Sequence, residues 1–474
     1  MEISEQNVKS KAHILCYSFA VQGHLNPILQ FCKRLASKGL KVTLVSTISA
    51  SSKLIKTQSC SPVDVELLDV DLRDIPKTSK ECERDETQDY FEHYKTVVAP
   101  SLAAFIENQM SSNYPPKFLV YDSIIPWALD ITKRFGIDGA PFFTQSWSCN
   151  TMYYQFYREK SKVNAFEDQA MVLLPSLPPL KINELPSFLN GSGTYPSLID
   201  LCLNQFSNIE EVNWLFFSSF DKLEEEFGLA NFLQPITWMA TQLPVKAIGP
   251  TIPSKYLDNR LKNDKDYGLN LFKPNTETYL KWLDSKQPAS VIYVSFGSLA
   301  ALEKSQMEEI AWGLKNSNIF FLWVVRESES DKLPKNFSEE TSEKGLVVSW
   351  CSQLEVLAHE SVGCFMTHCG WNSTLEAVSV GVPMVAMPQW TDQPTNAKFI
   401  EDVWGVGMRA RENGEGIVKR EEIAVCIREV MEGERGKEIK RNSKKWKDLA
   451  KEAVDEGGST DKNIQEFVAK LLYM

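Results

Sequence analysis

The chain has 474 residues, 43% of them hydrophobic, and a formal net charge of −11. At roughly 100 to 200 residues per domain this length suits two sizeable cores, and the acidic balance argues against nucleic acid, which needs a basic face. The ten cysteines are scattered from Cys16 to Cys426 without a Cys-x-x-Cys pair, and Glu2 and Glu5 precede Lys9 and Lys11 where a secretory leader would carry its positive charge. The longest other apolar run, Ile319 to Val325, is too short to span a bilayer. A reduced, cytoplasmic protein with no transmembrane segment and no metal centre is expected.

The pattern opens as a βαβ unit. His13 to Ser18 reads as a buried strand, and a helix is expected from about Asn26 to Lys38, with Ile28, Leu29, Cys32, Leu35 and Ala36 on one face and Gly39 as its stop. Lys41 to Thr47 is the next strand, and Val63, Val65 and Leu67 alternate with acidic residues in a third. Asp69 to Asp89 is polar and reads as a surface excursion. Phe118 to Tyr121 is a buried strand that delivers Asp122 at its carboxyl end, where open α/β sheets hold ligands, and a helix follows to Phe135. Most of the aromatic residues from Phe142 to Tyr157 are expected in the core, and a minority as the wall of a large apolar pocket.

Between Pro244 and Asn275 the composition shifts to Pro, Gly, Asp, Asn and Lys, as in a flexible interdomain linker. A second alternation follows: strand Ser290 to Val294, the turn Ser295-Phe296-Gly297-Ser298, a helix with Met307, Ile310, Ala311 and Leu314 on one face, and strand Ile319 to Val325. Strand Gly345 to Trp350, a short helix from Gln353, strand Cys364 to His368, a helix from Asn372 and strand Pro383 to Pro388 come next. Helices near Lys419 to Met431, Glu438 to Ala453 and Lys462 to Leu472 close the chain, the last expected to pack back on the first domain. The organisation expected is an α/β protein of two domains, residues 1–248 and 276–455, joined by a linker at 249–275 and completed by a C-terminal helix at 456–474.

The chemistry concentrates between Trp350 and Gln393. His368-Cys369-Gly370-Trp371-Asn372-Ser373 closes a strand and opens a helix, so free N–H groups and the positive helix end converge there with a histidine and a hydroxyl, a setting for a diphosphate. Glu376, one turn on, can accept from a ribose diol. Trp350 offers a face for a base, and Asp392 with Gln393 suits sugar hydroxyls. In the first half, Gln22-Gly23-His24 follows the first strand, and a histidine can take a proton from a hydroxyl near neutrality if a carboxylate fixes its tautomer. Asp122, also at a strand end, is the candidate orienter.

The stretch from Trp350 to Gln393 closely resembles the signature box of plant family-1 UDP-dependent glycosyltransferases in length, opening Trp, HCGWNS, Glu376 and closing Asp-Gln, and Gln22 to Pro27 matches the family's Gln-Gly-His-x-Asn-Pro segment. The resemblance covers essentially the whole chain. It implies the GT-B fold, two facing Rossmann-like domains with the active site in the cleft, and His24 as base with Asp122 as orienter. It further implies that Trp350 stacks on uracil, that Cys351 and Gln353 address uracil and ribose, and that Glu376 takes the ribose hydroxyls. His368, Asn372, Ser373 and Ser298 would hold the diphosphate, Trp371 would line the site, Asp392 and Gln393 would hold the sugar, and Thr144 would touch it from the first domain. Gln393 favours UDP-glucose, used as co-substrate without a further cofactor. The expected enzyme is an inverting, monomeric glucosyltransferase acting on a small lipophilic acceptor.

Two departures from the commonest family pattern stand out. Ser352 replaces a frequent proline after Trp-Cys, and Ser18-Phe19-Ala20-Val21 lacks the prolines often found before the base, which leaves the acceptor open. Alternatives are ester formation on carboxylate acceptors and a catalytically silent nucleotide-sugar binder. A nicotinamide-dependent oxidoreductase shares the sheet architecture, but no G-x-G-x-x-G follows the first strand.

Overall fold

Two parallel sheets take up nearly all the apolar runs. The structure is a computed structural model that describes residues 12–473 except 49–54, 57–61, 71–85, 160–170, 175–176, 191–197, 226–234 and 271–275. The N-terminal charge order and most of the excursion expected over Asp69 to Asp89 therefore lie outside the described residues, as does the end of the expected linker.

The first half runs β1 (His13–Ser18), α1 (Gln22–Ser37), β2 (Lys41–Ile48), β3 (Ile55–Lys56), β4 (Asp64–Asp69), α2 (Glu86–Met110), β5 (Pro116–Asp122), α3 (Trp127–Arg134), β6 (Asp138–Phe143), α4 (Trp147–Glu159), α5 (Leu198–Asn204), β7 (Leu215–Phe217), α6 (Asp221–Glu225), α7 (Pro235–Gln242) and β8 (Val245–Ala247). Its sheet has the order β4-β2-β1-β5-β6-β7-β8, every pair parallel. After β9 (Leu269–Asn270) the second half runs α8 (Thr276–Asp284), β10 (Val291–Ser295), α9 (Lys304–Ser317), β11 (Phe320–Val324), α10 (Phe337–Glu340), β12 (Gly345–Val348), α11 (Gln353–Leu357), β13 (Val362–Thr367), α12 (Trp371–Val380), β14 (Met384–Ala386), α13 (Gln393–Lys398), β15 (Gly407–Arg409), α14 (Arg420–Glu432), α15 (Glu434–Val454) and α16 (Ser459–Tyr473). This sheet, β12-β11-β10-β13-β14-β15, is also wholly parallel.

Both sheets are covered on both faces, which is why their strands read as apolar runs rather than alternating ones. In β1, Ile14 and Cys16 face the cluster that includes Phe31 and Cys32 of α1, while Leu15 and Tyr17 face the opposite one with Val98 and Leu102 of α2. Phe467 of α16 sits in the first cluster, its ring edge-on to Phe118, Trp214 and Phe216 at 4.9 to 5.2 Å, so the last helix covers the first sheet.

Three local expectations change. α1 begins at Gln22, four residues ahead of Asn26, because Val21 is extended and Pro27, although inside the helix, leaves only the Gly23 carbonyl without its N–H partner. His24 thus stands on the first turn of a helix rather than in a loop. Glu86 to Asp89, read as surface chain, start the 25-residue α2, whose Tyr94, Val98, Leu102 and Ile106 form a buried i, i+4 stripe. The stretch read as a flexible linker is docked on α1: Lys33 pairs with Asp264 at 2.6 Å with both side chains buried, Arg34 grips Asp258 with both terminal nitrogens, and β9 pairs antiparallel with β3.

Candidate active site

In each sheet the strand order reverses once, between β1 and β5 and between β10 and β13, and a crevice opens there beyond the carboxyl ends of the strands. The sequence puts its polar candidates at these two points. Asp122 ends β5 and His24 stands one loop after β1, while Ser298 follows β10 and His368 follows β13.

His24 Nδ1 lies 2.7 Å from Asp122 Oδ2. Asp122 is fully buried, and its oxygens accept the backbone N–H groups of Phe19 at 3.2 Å and Ile124 at 3.4 Å, so the carboxylate is held both from its own turn and from the loop after β1. A carboxylate on Nδ1 assigns the proton to that nitrogen and leaves Nε2 as the basic one. Thr144 Oγ1 is 3.5 Å from the same Nδ1, and His24 lines a cavity of about 1280 Å³.

The turn from β13 into α12 forms the opposite wall. Burial pushes the His368 imidazole down to about 4, with the Ser295 backbone acting in the opposite direction, so the ring is neutral at pH 7. Two glycines embrace the ring. A Cβ on Gly297, where φ is +75°, would lie 2.8 Å from it, and one on Gly370 would lie 2.5 Å from Nε2. Between them Cys369 holds φ +66°, a costly conformation for a residue with a side chain, and the backbone strain falls on the turn that would face a ligand.

Asn372 and Trp371 tie this turn to the first half. Pro27 has no N–H to offer the Gly23 carbonyl four residues earlier in α1, and that oxygen instead accepts Asn372 Nδ2 at 2.5 Å. Trp371 Nε1 donates to the Ser218 carbonyl at 2.6 Å. Trp371 is therefore partly an interface residue, although it also borders the cavity.

Gln353 organises the next segment: its Nε2 donates to Ser373 Oγ at 2.8 Å and to Glu376 Oε2 at 2.7 Å. Burial pushes the Glu376 carboxyl up, while hydrogen bonds from Tyr267 and Gln353 act in the opposite direction. Cys351 is buried with its Sγ 3.3 Å from the Tyr293 hydroxyl, and Trp350 lines the cavity beside it. Ser298 lines the same cavity, and its carbonyl accepts Arg326 Nη1.

At the rim, Asp392 is buried and its carboxyl is pushed up; its oxygens accept Thr391 Oγ1 and Asn396 Nδ2, each at 2.7 Å. Gln393 Oε1 accepts the backbone N–H groups of Gln389 and Trp390 at 2.9 and 3.1 Å, leaving Nε2 as the group it can offer outward.

Thirteen of the fourteen residues singled out from the sequence line this one cavity, and Asp122 stands behind His24. The aromatic crowd from Phe142 to Tyr157 does not contribute a wall. Phe143 and Trp147 stack on Phe217 at 4.5 and 4.4 Å in the core, because α4 crosses over the sheet. The apolar wall beside His24 comes instead from Phe19, Tyr90, Phe91, Phe188 and Trp390. Sequence reading missed Gly297 and Gly370 as a clamp on His368, and Tyr267. A glycine in each of the two turns, Gly297 just before Ser298 and Gly370 two residues after His368, was the available signal for the clamp; Tyr267, in a polar stretch, had none.

A family model described as UDP-glucoronosyl and UDP-glucosyl transferase matches residues 253–456. Mogroside I-E synthase of Siraitia grosvenorii is 50% identical over 465 residues, 98% of this chain and 99% of its own. UDP-glycosyltransferase 74E2 of Arabidopsis thaliana is 48% identical over 466 residues, again 98% of this chain and 99% of its own. Among solved structures, Os79 from O. sativa in complex with UDP is similar with a TM-score of 0.85 at 35% identity, covering 97% of this chain and 100% of that one.

Proposed function

Because this chain belongs to the plant UDP-glycosyltransferases and has their GT-B fold, we propose that it transfers glucose from UDP-glucose to a hydroxyl of a small lipophilic metabolite, a steroid, triterpenoid or phenol, with inversion. The observation that carries this reading is the 2.7 Å His24–Asp122 contact opening on the same cavity as His368, Glu376 and Gln393. His24 Nε2 takes the acceptor's proton as the oxygen attacks the anomeric carbon. The bond from that carbon to the diphosphate oxygen breaks, UDP leaves, and Asp122 stabilises the imidazolium through Nδ1–H. A single displacement inverts the configuration.

The donor is read onto the second half. Trp350 stacks on uracil, Cys351 and Gln353 address uracil and ribose, and Glu376 takes the ribose diol. The α12 N-terminus, His368, Asn372, Ser373 and Ser298 receive the diphosphate, with Trp371 lining the site. A neutral His368 contributes a hydrogen bond rather than a charge, and it and the helix end oppose the negative charge that grows on the leaving group. Asp392 and the outward Nε2 of Gln393 hold the sugar, with Thr144 on its other side. The UDP complex of Os79 supports a uridine diphosphate donor.

A hydroxyl acceptor is favoured over a carboxylate because, among the described residues, the only Lys or Arg side chains lining the cavity are Lys255 and Lys265, both between the two sheets rather than on the aromatic wall. A cytosolic monomer suits this reading: the described cysteines are buried thiols, and both sides of the site come from one chain. The test is mass-spectrometric detection of products from purified protein with UDP-glucose and a panel of phenols, phenolic acids, steroids and triterpenoids. A gain of one hexose on a hydroxyl is expected. Products only on carboxylic acids would replace glycoside by glucose-ester formation, and no product beside clear UDP binding would leave a silent binder.

A further inference from the structure

The segment between the two sheets reaches into the nucleotide side of the cavity. The Tyr267 hydroxyl donates to Glu376 Oε1 at 2.6 Å, while Gln353 Nε2 donates to Oε2 at 2.7 Å. Each oxygen of this buried carboxylate then has one donor and a lone pair to spare. Tyr267 is itself held from both sides by α1. Lys33 Nζ reaches Asp264 Oδ1 at 2.6 Å and the Asp266 carbonyl at 3.0 Å, and Gln22 Nε2 donates to the Leu269 carbonyl at 3.1 Å. Within the segment the Gly268 N–H closes onto Asp266 Oδ1 at 2.7 Å.

We propose that Tyr267 is a positioning residue for nucleoside recognition, clamping the Glu376 carboxylate from outside the signature box so that its spare lone pairs meet the ribose diol of the donor. This rests on the reading of Glu376 as the ribose acceptor. The clamp has a physical reason. A carboxylate on a helix can rotate about its side-chain bonds, and one donor on each oxygen fixes both the plane and the direction of the remaining lone pairs, which lowers the entropy lost when the ribose binds. Because α1 carries His24 and also holds the Tyr267 segment, the ribose contact and the base share one scaffold.

The experiment measures UDP and 2′-deoxy-UDP binding by calorimetry to the full chain, to Glu376→Gln and to Tyr267→Phe. The parent is expected to prefer UDP by about tenfold, the scale of one good hydrogen bond to a charged group. Glu376→Gln should bring the ratio close to one. Tyr267→Phe keeps the ring and should lower the ratio at least threefold, with the KM for UDP-glucose rising more than kcat falls. A merely structural role for Tyr267 would weaken both nucleotides alike, so an unchanged ratio in Tyr267→Phe beside a collapsed one in Glu376→Gln overturns the proposal alone. A ratio unchanged in Glu376→Gln overturns the ribose assignment and the proposal with it. Should Tyr267→Phe not fold, Tyr267→His, which keeps a donor, and Tyr267→Leu, which does not, replace it: a ratio higher in the histidine variant supports the clamp, and equal ratios overturn it.

Discussion

His24 and His368 lie in one cavity and are proposed to serve different tasks there. His24 is partly exposed and braced by a carboxylate at 2.7 Å, the contact on which its proposed role as base rests. His24→Ala is expected to lower kcat by about 10²- to 10⁴-fold while UDP affinity stays within a factor of a few, as measured by steady-state kinetics and calorimetry. Asp122→Asn should cost a comparable factor, since the amide no longer enforces the Nδ1–H tautomer. His368 is half-buried as well, but desolvation holds its ring neutral. Its folded-state value of about 4 lies below the ordinary 6.5, so the unfolded chain binds more protons in that window, and stability from this group is present above 6.5 and lost as pH falls towards 4. The effect amounts to at most about 3 kcal/mol. Glu376, Asp392 and Glu224, whose carboxyls are raised by burial, act with the opposite sign at the acid end. Thermal melts between pH 4 and 7 should therefore show a shallower loss in His368→Asn than in the parent.

Among the elements, the turns matter more than the strands they join. Gly370 has φ −59° and ψ 143°, which any residue can adopt, so Gly370→Ala introduces only a methyl group 2.5 Å from His368 Nε2. The ring must move away from the helix end. UDP affinity is expected to fall about tenfold or more with the fold retained, measured by calorimetry beside circular dichroism. Pro27 is the other case. Replacing it by Ala restores an N–H that can bond the Gly23 carbonyl within α1 and compete with Asn372. Pro27→Ala is expected to leave helix content unchanged or slightly higher while loosening the contact between the halves, read as faster hydrogen exchange in 21–24 and 370–373.

The whole molecule is joined by polar contacts at several depths. Trp371 bonds Ser218, Trp404 Nε1 donates to the Leu223 carbonyl at 3.0 Å, and the Ser187 N–H donates to the Thr391 carbonyl at 2.8 Å. The connecting segment is pinned as well. Lys33 and Asp264 are 2% and 3% exposed, so Lys33→Met strands a buried carboxylate and should cost about 3 to 5 kcal/mol, whereas Lys33→Met with Asp264→Asn should recover much of it. Denaturant unfolding of the two variants checks the sign. Phe467→Ala, which removes a ring packed on Phe118, Trp214 and Phe216, is expected to cost about 3 to 5 kcal/mol, with product formation at low temperature preserved.

The parallel sheets and the signature turn were legible in the sequence because both are local. An apolar run buried on two faces, a glycine past a helix and a histidine before a helix start depend on a few neighbouring residues, and they singled out His24, Asp122, His368 and Glu376 as candidates. The periodic stripe of α2 was equally local, but its polar outer face masked it. What only the tertiary structure decided depends on residues far apart in the chain. The 2.7 Å contact of His24 with Asp122 spans 98 positions, and the bond from Tyr267 to Glu376 spans 109. The apolar wall beside His24 is made by Phe19, Phe91, Phe188 and Trp390 from four separate segments, not by the aromatic cluster that stood out in the sequence, because composition records how many rings a segment carries but not which face of a sheet they cover.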